Sequence, residues 1–102
     1  MLSFWLYMLE CSDGSYYVGH TDNLELRIAE HEQGIKCGYT AARRPVKVVF
    51  TQEFVTREEA LGLERQIKGW SRKKKEALIN GDWEEISRLA RSKMKRVGHK
   101  TG

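Results

Sequence analysis

One proline, two cysteines and no apolar run longer than Phe4 to Leu9 set the first limits on this chain. The single proline excludes Pro-rich and collagen-like architectures. The cysteines, Cys11 and Cys37, lack the CxxC spacing of a metal or redox site, and two thiols in a cytosolic chain are expected to stay reduced. A bilayer crossing needs roughly 20 apolar residues, so no membrane partner is expected. The Phe4 to Leu9 run is also too short for a typical signal-peptide core, which makes the cytoplasm the expected compartment. What is present suffices for a folded domain: 102 residues, 40% of them hydrophobic and 10% aromatic, can bury one core but not two.

The formal net charge of +4 points to a polyanionic partner, yet its distribution is uneven. Arg91, Lys93, Lys95, Arg96 and Lys100 crowd the last dozen residues, which hold no acid, so the body is nearly neutral. Within the body, Arg65, Lys68 and the run Arg72, Lys73, Lys74, Lys75 form one basic cluster, while Lys36, Arg43, Arg44 and Lys47 form another. The two can serve as halves of a phosphate-binding surface or simply as solvated faces.

Phe4 to Glu10 and Tyr16 to His20 are aromatic-rich stretches flanking an Asp13-Gly14 turn signal, which predicts a β-hairpin. Thr21 to Asn23 offer caps for a helix over Leu24 to Gln33, stopped by Gly34. Tyr39 to Pro45 reads as an irregular connection, and Val46 to Phe54 as a third strand of the same sheet. Thr56 and Glu59 form a capping box that opens a helix to about Trp70. Ser71 caps another helix to Ile79, Asn80-Gly81 breaks it, and Asp82 caps a last amphipathic helix carrying Trp83, Ile86, Leu89 and Ala90 on one side.

Several polar groups stand where apolar ones are expected. Helical spacing sets Arg27 and His31 on one face with Leu24 and Ile28, so they must be hydrogen-bonded, snorkel, or line a cleft. Glu64 is flanked by Ala60, Leu61 and Ile67; a buried carboxylate there must pair, protonate or bind a cation, and Lys68 four residues later is one available partner. In the first strand, alternation sets Trp5, Tyr7 and Leu9 on one face and Phe4, Leu6 and Met8 on the other. A two-residue Asp13-Gly14 loop would send Tyr17 to the face opposite Tyr7. A three-residue Ser12-Asp13-Gly14 loop would bring both phenols together, with Gly14 in the left-handed position of a G1 bulge. Gly19 then leaves a gap beside the tyrosines that a ligand's backbone can approach.

Taken in order, Trp5-Leu6-Tyr7, Tyr17-Val18-Gly19, Arg27, His31 and Glu64 resemble the GIY-YIG nuclease domain over about residues 4 to 80. The run from Glu64 to Lys75 is similar to that of the small stand-alone bacterial members. Length and composition make residues 1–90 a single domain and 91–102 a basic tail expected to be disordered. The resemblance implies an α+β fold, a three-stranded antiparallel sheet flanked by helices. It implies catalytic roles for Tyr7, Tyr17, Arg27 and His31, with Tyr17 as general base, and a metal-binding role for Glu64 toward Mg2+ or Mn2+. Lys68, Arg72, Lys73, Lys74, Lys75 and Asn80 are the implied nucleic-acid contacts, with DNA as partner. Asn80 is equally well explained as a helix stop. Trp5 departs from the pattern, standing where the first motif has glycine, and no appended DNA-recognition domain is visible. The implied activity is metal-dependent hydrolysis of DNA phosphodiesters with weak or structure-selective specificity. The alternative is a non-catalytic nucleic-acid-binding module on the same fold.

Overall fold

Three strands meet in one antiparallel sheet of order β2-β1-β3, with β1 (Phe4–Glu10) in the middle, β2 (Tyr16–Thr21) on one side and β3 (Lys47–Phe54) on the other. The computed structural model describes residues 3–89. Because β1 is covered from both faces, its residues do not alternate between apolar and polar: Leu6, Tyr7, Met8 and Leu9 are all fully buried. Each contributes on the order of 1.5–3 kcal/mol of burial.

The hairpin uses the three-residue loop. Leu9 pairs with Tyr17 and Glu10 with Tyr16, the Cys11 amide donates to the Ser15 carbonyl at 2.8 Å, and Gly14 takes φ 84°. That left-handed conformation suits a residue without Cβ. The pairing places Tyr7 and Tyr17 on one face. At the other edge the ladder slips one residue between Met8 and Leu9, leaving Val49 as a bulge on β3.

Helices begin where side chains satisfy the first free amides. Asn23 accepts from the Leu26 amide to open α1 (Leu24–Gln33), and Gly34 closes it at φ 75°. The connection read as irregular contains one helical turn, α2 (Gly38–Ala41), whose N-cap Cys37 makes no side-chain cap bond. Nothing local announces such a turn, hence its absence from the sequence pattern. Thr56 and Glu59 form the full reciprocal capping box of α3 (Arg57–Lys68), whose buried residues are Ala60, Glu64 and Ile67. The third strand starts one residue later than expected, after Val46.

The chain divides into two compact units, the first ending at Gly69 and the second beginning at Trp70. In the second, Ser71 caps α4 (Arg72–Ile79), and Asp82 accepts from the Glu85 amide at the start of a helix over residues 83–89. Ala90 and the basic tail lie outside the described residues. Both cysteines are free thiols. No helix among the described residues is long and apolar enough to cross a membrane.

Candidate active site

Tyr7 projects from the centre of β1 directly over Gly19. A Cβ at residue 19 would lie 2.6 Å from the Tyr7 hydroxyl and 2.7 Å from Cζ. The space anticipated at Gly19 for a ligand backbone is therefore filled by the Tyr7 ring, and glycine stands there to admit a side chain of its own sheet.

From that position Tyr7 Oη lies 2.8 Å from His31 Nε2, and His31 Nδ1 lies 2.8 Å from Thr40 Oγ1. Thr40 Oγ1 in turn donates to the Cys37 carbonyl at 3.4 Å, so it accepts from Nδ1–H and leaves Nε2 to accept the phenolic proton. In the neutral imidazole the proton therefore sits on Nδ1. Burial and then the nearby Arg27 charge hold the His31 pKa below the ordinary value, which favours that neutral form. Of the two polar residues on the apolar face of α1, His31 is buried within this chain. Arg27 snorkels, its side chain 38% exposed and paired with Glu30 at 3.2 Å.

Tyr17 sits over this arrangement, half-buried. Its ring centroid is 6.4 Å from that of Tyr7, 5.1 Å from His31 and 6.1 Å from Tyr39. Burial, the Cys37 thiol and the Glu64 charge push its pKa up to about 12, against a lowering influence from Arg27. Tyr7 is raised further, again chiefly by burial, with Arg27 opposing. Arg27 therefore acts electrostatically on Tyr7, Tyr17 and His31 together.

Glu64 belongs to a second group. Oε1 accepts from His20 Nδ1 at 2.7 Å and Oε2 from Lys68 Nζ at 2.8 Å. Burial pushes the carboxyl pKa up, but the bonds from Lys68 and His20 outweigh it and the net direction is down. The structural pairing with Lys68 anticipated from helical spacing is thus present. Regular pairing sets His20, opposite Leu6, on the face away from Tyr7 and Tyr17. The bonds of Glu64 run to His20 and Lys68 rather than to the phenols. The Glu64 charge nonetheless contributes to raising the Tyr17 pKa, so the carboxylate lies within electrostatic reach of that phenol.

Sequence reasoning missed His20, Cys37, Tyr39 and Thr40. Alternation sets His20 on one face with Val18, but only the packing of α3 brings Glu64 to it. Thr40 and Tyr39 lie on the unheralded turn α2 and carried no signal. Cys37 has its thiol pKa lowered on balance: burial raises it, while hydrogen bonds involving Thr40, Tyr17 and Tyr39 lower it further.

The basic residues are partly committed to neighbours. Lys36 pairs with Glu30 at 3.1 Å and Arg43 with Asp13 at 3.0 Å. Arg44 donates to the Ala41 and Glu32 carbonyls. In the second unit, Arg72 pairs with Glu76 at 3.1 Å, Lys74 lies 4.3 Å from the Trp70 ring centroid, and Lys73 is exposed. Lys75 is partly covered, and Asn80 is the exposed C-cap of α4. Among the described residues, no three or more His, Cys, Asp or Glu side chains gather to hold a metal ion.

A family model described as the GIY-YIG catalytic domain matches residues 3–77. A UPF0213 protein of Listeria innocua is 47% identical over 81 residues, 79% of this chain and 90% of that protein. The solution NMR structure of a UPF0213 protein from Bacillus halodurans is 39% identical with a TM-score of 0.52, covering 85% of this chain and 96% of that one. The solution NMR structure of an E. faecalis protein is 42% identical with a TM-score of 0.56, covering 78% and 84%. The chain belongs to the GIY-YIG catalytic domain family, a nuclease-associated family, and its near relatives include small bacterial UPF0213 proteins.

Proposed function

We propose that this protein is a divalent-metal-dependent nuclease that hydrolyses DNA phosphodiester bonds with weak or structure-selective specificity. The observation that carries the reading is the Tyr7–His31–Thr40 hydrogen-bond chain beneath Tyr17, which keeps an uncharged imidazole as proton acceptor behind a phenol. Phosphodiester hydrolysis needs a deprotonated water, neutralised nonbridging oxygens and a stabilised leaving oxygen. Tyr17, the more accessible phenol, is placed to orient the water and accept its proton. Its pKa stands near 12 even with the lowering influence of Arg27, so it needs cationic help beyond that guanidinium. Tyr7 and His31 pack against the Tyr17 ring and, in this reading, position it or relay the proton. The planar fork of Arg27 suits the nonbridging oxygens. Lys68 and the α4 residues Arg72, Lys73, Lys74 and Lys75, with Asn80 at its end, are the proposed contacts to the DNA backbone.

Glu64 would hold the cation, Mg2+ or Mn2+. Its hard carboxylate suits either ion, which commonly needs one or two protein carboxylates and fills its other positions with water and phosphate oxygens. The fit has a condition. Both oxygens are engaged, and the Lys68 ammonium stands as a cation on Oε2, so this 54% exposed side chain must swing away. When bound, the ion supplies charge neutralisation at the phosphate and a lowered pKa for its water. Neutralising Glu64 also removes its upward influence on Tyr17.

The same engagement of both Glu64 oxygens favours the second reading, a nucleic-acid-binding module without turnover. Incubation with single-stranded, duplex and branched DNA, in Mg2+, in Mn2+ and in chelator, separates them. A nuclease cuts in metal and stops in chelator, and Tyr17→Phe or Glu64→Gln abolishes cutting while salt-dependent binding persists. Binding without cutting in every condition establishes the second reading.

A further inference from the structure

Tyr39 is an aromatic side chain left 40% exposed beside a buried cluster. Its ring continues the series from Tyr7 and Tyr17 toward the surface, at 6.1 Å and 30° from Tyr17. On it lies Arg43, with Cζ 3.9 Å from the ring centroid. That guanidinium is fixed there twice, by Nη1 donating to the Tyr39 carbonyl at 3.0 Å and by Nε donating to Asp13 Oδ2 at 3.0 Å. Asp13 is itself held by Ser15, whose amide and hydroxyl both donate to Oδ1.

An exposed arginine usually spends its rotamer freedom when it binds. Arg43 has spent it already. A planar cation layered on a ring, with its side chain 36% exposed, presents a flat π-compatible surface. Unpaired bases stack on guanidinium planes and aromatic rings, whereas bases inside a duplex already stack on their neighbours. A purely structural role, tying the hairpin turn to α2, accounts for the Asp13 bond but leaves unexplained why the ring beneath is exposed and next to Tyr17.

We propose that the Arg43–Tyr39 stack is a seat for an unpaired nucleobase, flanking the phosphate presented to Tyr17. The seat rests on the nucleic-acid reading above and names its substrate class: single-stranded DNA or DNA with unpaired nucleotides.

The test is binding of a labelled single-stranded oligonucleotide and of an otherwise identical oligonucleotide carrying consecutive abasic sites. It is measured by fluorescence anisotropy in chelator on the full chain with Glu64→Gln, so that cutting does not intervene. The seat requires a preference of about tenfold or more for the strand with bases. Tyr39→Ala should erase that preference and Tyr39→Phe should keep it. Asp13→Asn, which loosens Arg43 without touching the ring, should reduce it. Equal affinity of the parent protein for both strands overturns the seat, as does a Tyr39→Ala loss shared equally by both. A preference that depends on Tyr39 upholds it, even if the wild-type chain cuts no DNA in Mg2+ or Mn2+; that result removes only the nuclease reading.

Discussion

The phenol of Tyr7 donates to Nε2 of His31 across 2.8 Å, and both side chains are fully buried. Neither has water as a substitute partner, so the bond matters to stability as well as to chemistry. Tyr7→Phe removes the donor and leaves a buried nitrogen unsatisfied, which costs about 1–3 kcal/mol. Urea unfolding monitored by far-UV circular dichroism should show the midpoint falling without a change in slope. An unchanged midpoint would mean that Nε2 finds another partner or that the chain of bonds is absent in solution.

Acid should destabilise the fold in two separable windows. His31 has a folded pKa below its ordinary 6.5, so the unfolded state binds the proton more readily. Its contribution is complete above pH 6.5 and is lost as pH falls through the depressed folded value. Glu64 is also lowered, from 4.5, so its contribution is complete above that pH and lost as pH falls through its own depressed value. Unfolding midpoints measured from pH 8 to pH 2 should decline first in the His31 window. In His31→Asn that first decline should flatten while the lower one persists. A wild-type midpoint that stays level between pH 7 and pH 5 contradicts the neutral imidazole.

Glu64 and Lys68 form a pair that competes with any bound cation. A helical i to i+4 ion pair is worth a few tenths of a kcal/mol when exposed. Lys68→Ala should therefore tighten Mn2+ binding by about twofold, read by titration calorimetry or by the loss of the free-ion paramagnetic resonance signal. Glu64→Gln should abolish the binding. Should Lys68→Ala weaken Mn2+ binding instead, the cation is held elsewhere.

Elements set by their own neighbours were legible in the sequence. The Asp13-Gly14 turn, the Asn23 cap, the Thr56 and Glu59 box and the Ser71 cap each act within a few residues, and all four lie where the pattern put them. The face of His31 was legible too from helical spacing, whereas that of Tyr17 waited on the hairpin loop length, which the sequence left open between two residues and three. What escaped was tertiary. His20 acquires its meaning only when α3 brings Glu64 against it, and α2 is a single turn with no side-chain cap to mark it. The bond between Glu64 and His20 follows from strand register together with helix packing, and the chain alone displays only the first.

Gly19 shows how the same residue can be read in two ways. A glycine in mid-strand suggested room for a ligand, yet the volume in front of it belongs to Tyr7. Gly19→Ala places a methyl group 2.6 Å from the Tyr7 hydroxyl, well inside contact distance. The ring is fully buried and anchored to His31, so it cannot step aside without giving up that bond. Overpacking of this kind costs about 1–3 kcal/mol. If Tyr7 yields, His31 Nε2 loses its donor, and any nuclease activity should fall further than the loss of folded protein explains. The comparison that decides is Gly19→Ala against Tyr7→Phe and the Gly19→Ala/Tyr7→Phe double variant. Removing the hydroxyl relieves the closest contact, so the double variant should be less unstable than the sum of the two singles. Strict additivity would show that the methyl group and the phenol do not compete for the same space.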